Sequence, residues 1–310
     1  MREAGAVIVT WNSVPEIGPC LDALLRQGVS EVVVVDNASS DGTCEQVRRR
    51  PVRLIANPWN RGFAAAVNQG IELLPTPLVL LLNPDAELLE GLDALVQACC
   101  KPGAAAAGGK LVDETGRPQI GFMCRRFPTP ATLALEMLGV NRLWPRNPVN
   151  RRYRCLDLDP DRPAEVQQPA GAFLMIRREA WRRLGGFSEC YYPLWYEDVD
   201  FLKRAVLAGF RIYYEPRAVA RHRGAASISK LDWERRQWYW YDSLFRFAAC
   251  HFRPWEYRAV LAAALLASLL RGAGGSFNRA GARLRVYARI MRLATKRLLA
   301  GGREEHGWRS

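Results

Sequence analysis

Three early segments are unbroken apolar runs that stop abruptly at polar residues: AVIVTW over residues 6–11, VVVVDN over 32–37 and LVLLLNPD over 78–85. A half-solvated strand alternates apolar and polar positions, whereas a strand buried on both faces of a parallel sheet reads as such a run. Each run therefore predicts a core strand. Between and after them the period lengthens, as where Val199, Phe201, Leu202 and Ala205 recur as one helical stripe. Alternating strand and helix patterns predict an α/β chain with a central, mostly parallel sheet flanked by helices.

The run ends matter most, because ligands of open α/β sheets collect just beyond the carboxyl ends of the strands. The third run passes through Asn83 and Pro84 into Asp85, the second ends in Asp36 and Asn37, and the first continues through Asn12. Asn, Pro and Asp are also ordinary turn formers, so one such junction alone decides little. No glycine-rich phosphate fingerprint follows the first run, which argues against a nicotinamide or flavin Rossmann domain. In Asn60-Arg61-Gly62-Phe63, the glycine allows close backbone approach, and a small-residue helix follows through Asn68. Amides at such a helix start suit a phosphate or sugar oxygen. The segment LWYEDVDF over 194–201 groups Glu197, Asp198 and Asp200 among aromatic residues, a setting that shifts carboxyl pKa values and suits a general base. His222, one of 3 histidines, follows the strand-like IYYEP and AVA.

Charge and composition divide the chain. Residues 201–310 hold 22 Lys/Arg and 7 Asp/Glu, so they carry +15 of a total of +13, and residues 1–200 carry −2. Residues 259–270 form an apolar run of 12, shorter than the about 20 residues needed to span a bilayer. On a helix over 284–299, Arg285, Arg289, Arg292 and Lys296 share one side, and Val286, Tyr287, Ile290, Met291, Leu293 and Leu298 another. Such a basic amphipathic helix suits an anionic membrane surface, and a solvated helix packing against the catalytic domain is the other option. No nucleic-acid-binding motif accompanies the basic tail, so nucleic acid is not an expected partner. The 8 cysteines show no CxxC pair or zinc-like spacing and read as reduced thiols. The opening MREAGAVIVTWN reads as a strand and no signal peptide, which gives the expectation of a cytoplasmic protein.

The order of these pieces resembles glycosyltransferase family 2, of the GT-A nucleotide-sugar-binding fold, and within it the rhamnosyltransferase-like branch. The resemblance spans about residues 5–228 through VIVTWN, VVDNASSDGT, NPWNRGFAAAVNQGI, LLLNPDAEL, GGKLVDETGR, PAGAFLMIRREAWRRLGGF, WYEDVDFLKRAVLAGFRIYYEP and His222. It implies a catalytic domain over 1–228, which leaves residues 229–310 as the extension that the charge and apolar patterns mark as helical, basic and membrane-associating. It also implies an inverting transferase that moves a sugar from a nucleoside diphosphate donor to a glycan or lipid-linked acceptor in cell-surface polysaccharide assembly. The Asn-Pro-Asp form favours dTDP-rhamnose as donor, with a UDP-sugar as the other choice.

By the same resemblance Asp198 is the catalytic base, and Asp85, with His222, holds Mg²⁺ or Mn²⁺. Asn12, Asp36, Asn37, Asn60, Gly62, Asn68, Asn83 and Glu197 are the donor-binding candidates. Asn83 stands where the fold's Asp-x-Asp metal motif has its first acid, which leaves Asp85 as the carboxylate for the cation. A lipid-linked acceptor places the enzyme peripherally on the cytoplasmic face of the inner membrane. Two alternatives stay open: a sugar-nucleotide-binding protein without catalysis, permitted by Asn83, and a nucleotidyltransferase, for which residues 12–20 offer no triphosphate loop. Residues 108–170 have little readable periodicity and read as loops that shape acceptor choice.

Overall fold

In the computed structural model, which describes residues 4–29, 31–224, 229–273 and 280–300, the continuous apolar runs are buried central strands. The strands in chain order are β1 (Ala4–Thr10), β2 (Val32–Asp36), β3 (Arg53–Ala56), β4 (Leu78–Leu82), β5 (Ala86–Glu90), β6 (Ala104–Val112), β7 (Cys124–Arg125), β8 (Ala164–Glu165), β9 (Gln168–Pro169), β10 (Phe173–Arg177) and β11 (Arg211–His222). The helices are α1 (Val14–Arg26), α2 (Thr43–Arg48), α3 (Phe63–Leu73), α4 (Leu92–Cys100), α5 (Pro130–Met137), α6 (Val140–Leu143), α7 (Pro148–Tyr153), α8 (Arg178–Arg183), α9 (Glu197–Leu207), α10 (Trp233–His251), α11 (Pro254–Ala273) and α12 (Ala280–Leu299). The chain divides into two compact units, and neither is one continuous segment. One contains residues 1–127, 154–193 and 197–230, and the other 128–153, 194–196 and 231–310. The boundary expected at residue 228 lies outside the described residues.

The first unit holds the large sheet, in the order β3-β2-β1-β4-β10-β6-β11-β5, with β8 added against β11. Strands β3, β2, β1 and β4 are parallel, β10 runs antiparallel between β4 and β6, and β11 is parallel to β6. Strand β5 pairs antiparallel with β11. Alternation within the apolar runs explains why every position is apolar. In β4, Leu78, Leu80 and Leu82 enter one core with Ile17, Leu21 and Leu24 of α1, while Val79 and Leu81 enter the opposite core with Val67 and Ile71 of α3. Each such side chain contributes about 1.5–3 kcal/mol on burial. Because β1, β2 and β4 are parallel neighbours, their polar carboxyl ends at Thr10, Asp36 and Asn83 emerge on one edge.

The second unit is helical. Helices α10, α11 and α12 share a core with α5, built from residues such as Leu133, Met137, Phe245, Leu261, Tyr287 and Ile290. Local sequence sets the helix starts. Thr129 accepts from Thr132 N (3.2 Å) ahead of Pro130, and Asp232 accepts from Arg235 N (2.7 Å), so each caps amides that the first turn leaves unpaired. The amphipathic reading of 284–299 holds, but Val286, Tyr287, Ile290 and Ala294 are buried inside this unit. That apolar side is occupied by the other helices of its own unit.

Candidate active site

At the carboxyl end of β2 the polar residues hold one another. Asp36 is 1% exposed, and its carboxylate accepts from Thr10 Oγ1 (2.8 Å), Ser39 N (2.8 Å) and Ser39 Oγ (2.5 Å). Its charge and burial push the neighbouring Cys44 thiol up to about 11, burial being the larger cause. Asn37 accepts from Asn57 Nδ2 (3.2 Å) and Arg61 N (3.3 Å) and donates to Gly62 O (3.1 Å), which fastens the 57–62 loop beside β2. Asn12, at φ 50, donates its amide to Ser39 Oγ (2.7 Å) and accepts from Ser40 N (2.8 Å). The result is a braced rim of loops around the ends of β1 and β2.

Asn60 Oδ1 accepts from Gly62 N (2.8 Å), and Gly62 sits at φ +85, where a Cβ would lie 2.9 Å from the Tyr192 ring. Only glycine fits there. Asn68 differs from the expectation of a ligand-facing amide. It donates to Phe187 O (2.8 Å) and accepts from Trp181 Nε1 (3.1 Å) and Phe187 N (2.9 Å), so it latches α3 to α8 and the segment that follows it.

After β4, Ala86 N donates to Asn83 O (3.0 Å) and closes a tight turn that presents Asp85. Both turn chemistry and functional placement therefore apply to this tripeptide. Strand pairing of His222 with Ala86 brings His222 alongside, with Nε2 3.6 Å from Asp85 Oδ1, and both side chains are buried. Gln119 fixes the imidazole. Its Nε2 donates to His222 O (2.8 Å), which leaves Oε1 facing His222 Nδ1 at 3.1 Å. Nδ1 must then carry the proton, and Nε2 turns a lone pair toward the carboxylate. Burial holds the His222 pKa below its ordinary value against the opposing pull of Asp85, which favours the neutral ring. Phe122 stacks on it at 5.1 Å and 11°.

Two acceptors facing each other at 3.6 Å, beyond hydrogen-bond range, suit a cation between them, since two metal–ligand bonds of about 2.0–2.1 Å reach across. The donor set thus fits a divalent ion. Among the described residues no group of three or more His, Cys, Asp and Glu side chains could hold one alone, so the remaining ligands would come from phosphate oxygens and water.

The acids at 197–200 separate into three roles. Asp200 is buried against Arg204 Nε (2.7 Å) and Tyr191 OH (3.2 Å) and is structural. Asp198 is partly buried and accepts from Val199 N (2.8 Å) and Gly171 N (3.2 Å). Burial raises its pKa, opposed by those amides and by the charge of Arg125, whose guanidinium lies 5.6 Å over the Phe122 ring. Glu197 is buried, with Oε2 lacking a hydrogen-bond partner, and burial followed by the charge of Asp198 holds its pKa well above the carboxylate range. Trp195 and Tyr196, immediately before these acids, both hold positive φ (77 and 72), a strained backbone of the kind that gathers at functional sites.

Residues 171 and 172 join the two halves. Gly171 N binds Asp198, while Ala172 O accepts from Asn83 N (3.0 Å) at the turn that carries Asp85. Gln119, Phe122 and Arg125 complete the site and were not singled out from sequence, because they lie in the stretch without periodicity.

The family model described as glycosyl transferase family 2 matches residues 6–185. The chain belongs to this family. A second model, described as the N-terminal domain of galactosyltransferase, matches residues 152–224, which include Asp198 and His222. An N-acetylglucosaminyl-diphospho-decaprenol L-rhamnosyltransferase of Mycobacterium tuberculosis is 32% identical over 242 residues, 72% of this chain and 77% of that protein, which makes this family member rhamnosyltransferase-like. A low-salt glycan biosynthesis hexosyltransferase of Haloferax volcanii is 25% identical, over 66% of this chain and 62% of that one.

Solved structures place the fold. A Pyrobaculum calidifontis mannosyltransferase in complex with GDP-Man and Mn²⁺ aligns over 98% of this chain and 86% of its own, at TM-score 0.51 and 20% identity. The S. aureus TarS 1–349 complex with UDP-GlcNAc aligns over 99% and 92%, at TM-score 0.55 and 15% identity. The chain is a glycosyltransferase of the GT-A fold.

Proposed function

We propose that this glycosyltransferase inverts the sugar it transfers, moving rhamnose or another deoxysugar from a nucleoside diphosphate to a hydroxyl of a lipid-linked saccharide in polysaccharide assembly. The carrying observation is the 171–172 pair, which ties the Asp198 carboxylate and the Asp85 turn to adjacent residues. The identity to the mycobacterial rhamnosyltransferase supports the choice of donor sugar and of lipid-linked acceptor. In this reading that acceptor is presented at the cytoplasmic face of a membrane.

In this reading Asp198 takes the acceptor hydroxyl proton as the oxygen attacks the anomeric carbon. The bond from that carbon to the phosphate oxygen breaks in the same displacement, and the nucleoside diphosphate leaves on the opposite face. Asp85 and His222 would hold a divalent cation, which would supply Lewis-acid stabilisation of the charge on the leaving diphosphate. Glu197, whose burial favours the protonated form, donates to a sugar or phosphate oxygen through the oxygen that has no protein partner. Asn12, Asn60 and Asn83, each partly exposed, contact the donor. Asp36, Asn37, Gly62 and Asn68 shape its pocket by holding the loops described above.

The test is thermal unfolding of the purified chain with dTDP-rhamnose, UDP-sugars and GDP-sugars, each with and without Mn²⁺ or Mg²⁺. A ligand at 100 times its Kd adds about 2.7 kcal/mol, several degrees in Tm for a protein of this size. We expect the largest shift with dTDP-rhamnose plus metal, followed by transfer to a polyprenyl-diphospho-N-acetylglucosamine acceptor with inverted anomeric configuration by proton NMR. A shift confined to UDP- or GDP-sugars would overturn the donor, and a retained anomer would overturn the mechanism.

Gly171 gives a more local check. A Cβ there would lie 2.8 Å from Asp198 Oδ2. Gly171→Ala should displace the carboxylate and lower kcat on the order of 10²-fold, the usual cost of a misplacement near 1 Å, with circular dichroism and the donor-induced Tm shift retained.

A further inference from the structure

Helix α11 is apolar on two sides, and its own unit covers only one. Tyr257, Val260, Leu261, Ala264 and Ala267 are buried in the helical core. On the other side, at 3.6 residues per turn, Trp255, Ala259, Ala262, Leu266, Leu269 and Leu270 fall within an arc of about 100°. All six are exposed, with Trp255 at 63%, Leu266 at 50%, Leu269 at 58% and Leu270 at 60%. A helix that is apolar all round is normally buried in protein or lipid. Arg271 Nη2 donates to Glu136 O (3.3 Å), which fastens the carboxyl end of α11 beside the α5–α6 connection. There Leu143 and Trp144 stand 87% and 59% exposed, flanked by exposed Arg142 and Arg146.

Charge selects what covers this surface. The helical unit holds 19 Lys/Arg and 7 Asp/Glu, so it carries +12 of the chain's +13 and leaves +1 on the sheet unit. Helix α12, packed on α11, exposes Arg285, Arg289, Arg292 and Lys296. A second copy meeting this unit would oppose like charges, whereas an anionic bilayer complements them and accepts leucine and tryptophan at its interfacial depth. Among the described residues no helix is long and apolar enough to cross a membrane, so the helix would lie in the interface.

We propose that the exposed stripe of α11, with Leu143 and Trp144, is the face by which the enzyme docks on an anionic lipid membrane. The apolar side of α12 takes no part, because it is used inside the unit. The inference rests on the proposed lipid-linked acceptor and names the surface that would bring the enzyme to it.

The test is flotation of the full chain with phosphatidylcholine vesicles, with and without 30% phosphatidylglycerol (a chosen composition, about one anionic lipid in three). It is repeated for the triple variant Leu266→Ser, Leu269→Ser, Leu270→Ser. These uncharged changes fall at exposed positions, so the fold and the donor-induced Tm shift should persist. We expect the parent chain to float only with anionic vesicles, and the variant's partition to fall at least ~10-fold, as loss of three buried leucines implies. Transfer to an acceptor analogue without its polyprenyl chain should be unchanged. Equal flotation of parent and variant would overturn the proposal. So would a parent chain that ignores vesicles and is a dimer by light scattering, with the variant monomeric. If no sugar nucleotide shifts the parent Tm, the functional reading fails, and the flotation result still decides the docking face on its own.

Discussion

Asp198→Asn is expected to lower kcat by about 10²–10⁴-fold, the range that a positioned general base supplies, while donor Kd changes little. The substitution keeps size and shape. Its amide retains one acceptor oxygen for either Val199 N or Gly171 N, and it cannot take a proton from the acceptor hydroxyl. Glu197 does not substitute for it. Burial raises both acids, the charge of Asp198 raises Glu197 again, and two backbone amides with the charge of Arg125 oppose the rise at Asp198, so the proton of the pair favours Glu197 and Asp198 is the better placed base.

The sign of the pH dependence follows from the same shifts. A base acts only when deprotonated, and a raised pKa moves the acid-side loss of kcat/KM upward. The limb should therefore fall above the ordinary carboxylate range, and the residual activity of Asp198→Asn should lack it. Steady-state kinetics across pH, with donor Kd measured separately, check both points. A kcat within threefold of the parent would remove Asp198 from the chemistry.

The division between what sequence revealed and what it did not has a physical basis. The runs 32–36 and 78–82 were legible because burial on both faces demands an apolar residue at every position, and their polar ends were legible because the chain changes character there within one residue. The use of those ends was less so. Asp36 and Asn68 have the residue types of ligand contacts, yet Thr10 and Ser39 hold the first and Trp181 and Phe187 the second, and only three-dimensional neighbours reveal that.

Gln119 and Phe122 act on His222 across about a hundred residues of sequence, through an amide and a ring face that no period encodes. The same holds for α5. Its 8 residues are too short to announce a partner, although Leu133 and Met137, four apart, both enter the helical core. In 284–299 the amphipathic pattern was real, but amphipathicity says that a face must be covered and leaves open whether protein or lipid covers it.

Asp85→Ala should lower kcat/KM by about 10³-fold, since a metal's stabilisation of a leaving diphosphate is worth several kcal/mol and each 1.36 kcal/mol is tenfold. The metal-dependent part of the donor-induced Tm shift should vanish with it. The turn itself should survive, because its hydrogen bonds from Ala86 N to Asn83 O (3.0 Å) and from Arg223 N to Asp85 O (3.1 Å) are made by backbone. Gln119→Ala separates coordination from mere packing. Without the Gln119 amide, His222 is free to move its proton to Nε2, and metal affinity should fall by about 10–100-fold, as for other groups that orient a ligating imidazole. Saturating Mn²⁺ should then restore kcat in Gln119→Ala, because the carboxylate remains, and should fail to restore it in Asp85→Ala. Isothermal titration of each variant with Mn²⁺ and donor nucleotide reads the affinities without turnover. A metal-dependent shift that persists in Asp85→Ala would move the cation site elsewhere and leave the buried Asp85–His222 pair as a structural contact between β5, β11 and the turn after β4.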